Sequence, residues 1–131
     1  AIAPFDFGAV GKSSKDDDEA LGFLQEMFKE AIVPLKGTAV EELINEVRIN
    51  GDKWSFVNNA EKLAKHKLLL IAGKRDRISI PKLHYYPLLN KILSHNPENF
   101  EYKMVDSDHA FQDKRIFLTE IIESWLEKII L

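Results

Sequence analysis

The pattern of apolar positions changes about halfway along the chain. In the first half, apolar residues recur at helical spacing, as in the run Ala20, Leu21, Phe23, Leu24, Met27, Phe28. This spacing predicts a helix that begins near the acidic residues 16–18 and ends before Pro34. Similar spacing predicts a short helix over 40–47 and a third helix to about residue 65. We expect residues 8–18 to form a surface loop and Ala1–Pro4 to be the one strand-like segment of this half.

Two of these helices are preceded by residues that resemble a capping box. In that motif a hydroxyl side chain caps the helix, and an acidic side chain three residues later bonds back to the backbone. Ser14 with Asp17, and Thr38 with Glu41, have this spacing. The pairs predict where the first and second helices begin.

The second half has the pattern of a strand, a helix, a second strand and a second helix. The residues from 67 to 73 are a nearly continuous apolar run that ends at Gly73, which is typical of a strand covered on both faces. The remaining segments are a charged loop at 74–82, a helix at 84–95, a strand at 100–105, a loop at 107–112 and a helix at 113–130. This order predicts an α/β fold with a right-handed βαβ unit, a parallel sheet and a covering helix.

Composition excludes several classes of protein. The chain has 131 residues, of which 45% are hydrophobic and 30% are charged, as in one compact domain or part of a larger one. The formal charge of −3 does not favour a nucleic-acid partner. The absence of cysteine excludes disulfides, cysteine nucleophiles and iron–sulfur clusters.

No apolar run approaches the roughly 20 residues that span a bilayer, and no signal peptide is visible, so we expect no membrane contact and a cytoplasmic location.

No cofactor or metal is indicated by the motifs. The segment 8–13 resembles the end of a phosphate-binding P-loop, but Asp6 stands where that motif requires glycine. The acidic run 16–19 lacks the glycine and glutamate positions of a calcium-binding EF-hand loop. The four histidines include no pair at the spacing of a helical zinc site.

The loops that follow the two predicted strands carry the best candidates for chemistry. Asp76 comes three residues after the first strand, and His109 lies in the loop after the second. Both loops leave the same edge of a parallel sheet, which is where such sheets bind their ligands. A carboxylate beside an imidazole can orient a general base, so we expect a carboxylate oxygen of Asp76 within about 3.2 Å of an imidazole nitrogen of His109. Such a pair also has ordinary structural interpretations, namely a helix cap for Asp76 and a loop hydrogen bond for His109.

The residues around both candidates resemble those of one known family. The first segment is Leu-Leu-Leu-Ile-Ala-Gly73-Lys-Arg-Asp76-Arg-Ile-Ser-Ile-Pro81, and the second contains Asp-His109-x-Phe-x-x-x-Arg115 before a closing helix. They are similar to the catalytic-acid and catalytic-histidine segments of α/β-hydrolases, most of all the branch of prolyl oligopeptidase and acylaminoacyl peptidase. The order of acid before histidine also agrees with that family.

This resemblance implies a fold and a division of the chain. Residues 67–131 would be the C-terminal part of an α/β-hydrolase sheet, with its last two or three strands and their helices. Residues 1–66 would be the end of a preceding strand followed by a helical cap or lid. Asp76 and His109 would be catalytic residues of a serine hydrolase that cleaves a small-molecule ester or a peptide, with Asp76 orienting His109 as the base.

The nucleophile of such an enzyme is missing from the sequence. None of the seven serines has a glycine two residues before it and another two residues after it. We therefore expect the chain to be the C-terminal fragment of a serine hydrolase and to be inactive alone. It should associate with the missing N-terminal half, or with itself through an open sheet edge.

The sequence has two other interpretations. The first is a truncated, non-catalytic α/β domain that serves as a binding or assembly module. The second is a receiver-like protein, which is disfavoured because the acidic cluster at 16–18 precedes a helix instead of following the first strand.

Overall fold

The computed structural model describes residues 1–130, so Leu131, the last residue of the predicted second domain, lies outside the described residues. Helices and strands both occur, in the order α1 (Phe7–Ser13), α2 (Asp18–Ala31), α3 (Val40–Ile49), α4 (Gly51–Trp54), α5 (Ala60–Ala64), β1 (Leu68–Gly73), α6 (Pro81–Leu93), β2 (Phe100–Val105), a 3-10 turn (Gln112–Lys114) and α7 (Arg115–Ile130). The chain divides into two compact units. We call Ala1–Phe5 with the chain from Ala60 onward the sheet unit, and Asp6–Asn59 the helical unit.

The sheet unit is built on two parallel strands. β1 and β2 pair from Leu68 opposite Phe100 to Gly73 opposite Val105. On the other side of β1, Ile2 forms an isolated parallel bridge to Ile71. β1 therefore lies between the N-terminal segment and β2. Helices combined with a parallel sheet are compatible with the predicted α/β class, both predicted strands are confirmed, and their carboxyl ends lie at one edge.

Both faces of β1 are buried. Leu69 and Ile71 belong to a cluster with Val105 of β2, and the inner face of α7 packs against this cluster through Leu118, Ile121, Ile122 and Trp125. Leu70 lies between Leu69 and Ile71 and so points to the opposite face, where it is completely buried. α6 also packs against β1. The continuous apolar run of β1 is therefore explained by a layer of protein on each side.

The helical unit begins with a helix where the sequence predicted a loop. Asp6 caps α1 by accepting a hydrogen bond from the Ala9 N–H at 2.9 Å. An added Cβ would lie 2.3 Å from the Gly51 carbonyl oxygen at Gly8, and 2.5 Å from Val47 Cγ1 at Gly11. The glycines that disfavour a helix by propensity are thus required for α1 to approach α3 and α4 closely.

The two helix starts use different side chains from those predicted. Asp17, not Ser14, caps α2 and accepts from the backbone of Glu19 and Ala20. At α3 the acid that bonds back is Glu42, not Glu41, and it accepts from the Ala39 N–H and the Thr38 hydroxyl at 3.1 Å each. The helix begins one residue later than the capping-box spacing assumed, which moves the acidic position by one.

The predicted third helix is interrupted, and the predicted fourth is longer. Asp6 Oδ2 accepts hydrogen bonds from Ser55 Oγ and the Phe56 N–H, and this contact holds the chain in a turn between α4 and α5. α6 begins at Pro81, three residues before the predicted start, because proline at a first helical position needs no N–H partner. Within residues 1–130, no helix is long and apolar enough to cross a membrane.

Candidate active site at the carboxyl edge of the sheet

The loop that follows β1 holds the side chain of Asp76 in one orientation. The side chain is fully buried, and its Oδ1 accepts hydrogen bonds from the backbone N–H groups of Ile78 and Ser79, both at 2.8 Å. The Ser79 hydroxyl in turn donates to the Pro4 carbonyl oxygen. With Oδ1 occupied by two donors, Oδ2 is the oxygen that remains for a partner outside the loop.

His109 is that partner. Its Nδ1 lies 2.9 Å from Asp76 Oδ2, so the contact predicted from the sequence is present. The imidazole side chain keeps 39% of its surface exposed, and its Nε2 makes no hydrogen bond within residues 1–130. One ring nitrogen is therefore held by a buried carboxylate while the other is left for a further group.

This arrangement fixes the tautomer of the neutral imidazole. An ionised carboxylate only accepts hydrogen bonds, so Nδ1 must carry the proton that joins His109 to Asp76. Nε2 then has a free lone pair and can take a proton from a hydroxyl group. If Nε2 becomes protonated, the imidazolium lies beside the carboxylate charge, which stabilises it.

The tautomer gives a first prediction. In Asp76→Asn the side-chain oxygen must face the Ile78 and Ser79 N–H groups, because an NH2 group there would oppose two donors. The NH2 group then faces Nδ1 of His109, which must accept, and the proton moves to Nε2. We expect the ring 15N shifts of His109 to report Nδ1–H in the wild type and Nε2–H in the variant.

Asp108→Asn is the matched control for that measurement, since it makes the same change in the residue next to the histidine. From the described residues the Asp108 carboxylate accepts only a long hydrogen bond, 3.4 Å, from the Gln112 N–H. We expect this variant to keep the wild-type tautomer. The same tautomer in the wild type and in Asp76→Asn would contradict the orientation derived for Asp76.

The loop that carries His109 is anchored by a buried aromatic residue in an unusual backbone conformation. Phe111 is 2% exposed and belongs to the apolar cluster of Leu69 and Ile71. Its φ of 52° and ψ of 34° are left-handed, which is rare for a bulky residue and costs about 1–3 kcal/mol. Burial of the ring offsets this strain, so packing in the core holds the turn that presents His109.

The two loops also approach each other closely through the backbone. An added Cβ at Gly73 would lie 2.7 Å from the carbonyl oxygens of both Ser107 and Asp108. The N–H groups of Lys74 and Arg75 donate to the carbonyl oxygens of Val105 and Ser107 at 2.7 and 2.9 Å. Glycine at the end of β1 therefore lets the acid loop and the histidine loop share hydrogen bonds.

Arg75 is a residue of this site that the sequence analysis did not single out. Its guanidinium donates to Asp106 Oδ1 at 3.0 Å and to Asp113 Oδ2 at 2.7 Å. These contacts raise the pKa of Arg75, with Asp106 the larger cause. Arg75 directly precedes Asp76 in the sequence, and acidic residues stand at both ends of the histidine loop, at positions 106 and 113. This combination of opposite charges was the sequence signal that could have indicated the ion pairs.

Asp113 bonds both to the Arg75 guanidinium and to a buried hydroxyl group. Ser107, which is completely buried, donates from Oγ to Asp113 Oδ1. The Ser107 hydroxyl, and after it the Arg75 guanidinium, hold the pKa of the Asp113 carboxyl below its usual value. Because the pKa of Asp113 is lower in the folded protein than in the unfolded chain, its ionisation stabilises the fold. This stabilisation is fully present at a pH above the pKa of the unfolded chain, and it is lost as the pH falls through the lower pKa of the folded protein. Asp113 is thus charged at neutral pH.

A depression of about 780 Å³ opens over the Asp76–His109 pair. Among residues 1–130 it is lined by Lys74, Arg75, Asp76, Arg77, Ile78, Asp108, His109 and Ala110, none of which carries a hydroxyl or thiol group. The two serines of the neighbouring loops, Ser79 and Ser107, are buried and already donate to Pro4 and Asp113. In the described part of the chain, no group of three histidine, aspartate or glutamate side chains is arranged to hold a metal ion.

Comparisons with protein-family models, curated proteins and solved structures found no match for this chain.

Proposed function

We propose that this chain carries the acid and the base of a serine hydrolase that cleaves an ester or an amide. The observation that carries the proposal is the hydrogen bond between Asp76 Oδ2 and His109 Nδ1, with Oδ1 occupied by two backbone donors. A carboxylate held in this way orients the imidazole and fixes its tautomer, which is the task of the acid in a catalytic triad.

In the proposed reaction, Nε2 of His109 removes the proton of a serine hydroxyl as its oxygen attacks the substrate carbonyl carbon. The imidazolium that forms is stabilised by Asp76 and then gives its proton to the leaving alcohol or amine. Water repeats the sequence on the acyl-enzyme and regenerates the serine. Asp76 stays ionised throughout, and its role is to orient His109 and to stabilise its charge.

The attacking serine in this proposal comes from a polypeptide segment outside the 131 residues. No described residue that lines the depression over His109 carries a hydroxyl group, and both neighbouring serines donate to other groups. Support for an α/β-hydrolase arrangement comes from the parallel order of the N-terminal segment, β1 and β2, with acid and histidine after successive strands. The helical unit lies between the first two of these segments in the sequence, where the cap would be inserted.

The test is whether a serine becomes reactive in the presence of His109. A fluorophosphonate probe should leave the mass of the isolated 131-residue chain unchanged, and the chain should hydrolyse nitrophenyl acetate no faster than its His109→Ala variant. In cells of the source organism that carry an affinity tag on this chain at its native locus, the probe should label one serine of the tagged polypeptide or its complex. That labelling should be lost in His109→Ala and kept in His95→Ala, which replaces an exposed histidine in the turn after α6.

A non-catalytic binding or assembly module is the second candidate, favoured because none of the lining residues in the described part of the chain carries a hydroxyl or thiol group. It predicts that no serine is labelled in the tagged complex. Labelling of a serine in the isolated chain would contradict the proposed location of the nucleophile.

A further inference from the structure

We propose that Arg75 is a positioning residue that holds the loops of Asp76 and His109 together. Whether this positioning serves catalysis rests on the proposed function, whereas its effect on the Asp76–His109 hydrogen bond does not. Arg75 makes no direct hydrogen bond to either residue of the pair, so it would act through the loops that carry them.

The contacts of Arg75 span the histidine loop from one end to the other. At the beginning of that loop Arg75 bonds to both Asp106 Oδ1 and the Asp106 carbonyl oxygen, at 3.0 and 3.2 Å. At its end Arg75 bonds to Asp113 Oδ2, just before α7 begins. His109 lies between these anchors, and Asp76 is the next residue after Arg75, so one guanidinium links the acid to both ends of the loop.

A planar guanidinium is the group that can make this set of contacts. Its five donors lie in a fixed fork, so it can bond to two carboxylates and a carbonyl oxygen together, whereas a lysine ammonium is a single point charge. Asp113 is further restrained by the buried Ser107 hydroxyl. A single exposed ion pair contributes little to stability. A network of ion pairs that includes a buried group restrains the loops more than its separate pairs would.

The experiment follows the Nδ1–H proton of His109 in the isolated chain by NMR. In Arg75→Gln we expect this proton to exchange with solvent about fivefold faster or more, as the loops separate more often. Arg75→Lys should be intermediate. Lys74→Gln is the control, because it removes a positive charge from the same depression without touching Asp106 or Asp113, and it should exchange at the wild-type rate.

A double-mutant cycle with Asp113→Asn tests the route of the effect. If Arg75 acts through Asp113, the two substitutions together should change the exchange rate by less than the product of their separate effects. Amide spectra that keep the shifts of β1 and β2 show that each variant is folded. Wild-type exchange in Arg75→Gln, or equal acceleration in Lys74→Gln, would overturn the proposal.

A failure of this inference can be told from a failure of the proposed function. If the Nδ1–H exchange rate is unchanged in Arg75→Gln while a serine is still labelled in the native complex, the positioning role of Arg75 is wrong and the proposed hydrolase function stands. In the labelled complex, Arg75→Gln should lower kcat for ester hydrolysis several-fold with little change in KM. Absence of a labelled serine removes catalysis, while faster exchange would still establish Arg75 as the group that holds the pair together.

Discussion

If the proposed serine hydrolase is correct, Asp76→Asn is expected to lower its kcat/KM for ester or amide hydrolysis about 10⁴-fold, the loss that follows from a wrong tautomer in a Ser-His-Asp triad. The substitution keeps the shape of the side chain and the two hydrogen bonds from Ile78 and Ser79. Its amide NH2 group, however, would donate to Nδ1 of His109 and place the ring proton on Nε2. The imidazole could then no longer accept a proton from the serine.

The measurement is steady-state hydrolysis of a nitrophenyl ester by the untreated form of the complex in which the fluorophosphonate probe identifies a reactive serine. His109→Ala should cause a loss of similar size, and the double variant should lose little more, because residues that act as a unit are not additive. Asp16→Asn, an exposed aspartate of the helical unit, is the control and should keep full activity. A loss of less than tenfold in Asp76→Asn would rule out the proposed role of Asp76.

Gly73→Ala is expected to destabilise the sheet unit by about 2–3 kcal/mol and to separate Asp76 from His109. The new methyl group would lie 2.7 Å from the Ser107 and Asp108 carbonyl oxygens, which belong to the backbone and cannot rotate away. Relief of this overlap moves the histidine loop and strains the hydrogen bonds from Lys74 and Arg75 across the sheet edge. The stability of the sheet unit and the contact between Asp76 and His109 therefore both require a residue without a Cβ at position 73.

Urea unfolding followed by the fluorescence of Trp125 checks this expectation. Replacement of Trp54 by phenylalanine leaves Trp125, in the sheet unit, as the single tryptophan. Gly22→Ala is the control, since nothing lies within 4 Å of its added Cβ in α2; circular dichroism should show it to be neutral or to stabilise by up to about 1 kcal/mol. Equal midpoints for wild type and Gly73→Ala, with the Nδ1–H resonance of His109 retained, would contradict the close approach.

The elements that the sequence determined are those whose own side chains specify one environment. The apolar run that ends at Gly73 needs protein on both faces, so it predicts a buried strand, and β1 is found there. The strand at Phe100–Val105 has its predicted bounds, and α2 and α3 follow their helical periods. Asp76 and His109 could be paired in advance because parallel neighbouring strands bring the loops after their carboxyl ends together.

The remaining features were decided by contacts between residues far apart in the chain. A helix over Phe7–Ser13 contradicts local propensity, and it exists because Gly8 and Gly11 let it pack against the backbone of α3 and α4. The pairing of Arg75 with Asp106 and Asp113 joins positions 31 and 38 residues apart. The left-handed turn at Phe111 is held by burial of its ring in the core. Local sequence sets the preferences of a segment, but its final conformation depends on which distant groups it can pack against, and only the tertiary structure brings those groups together.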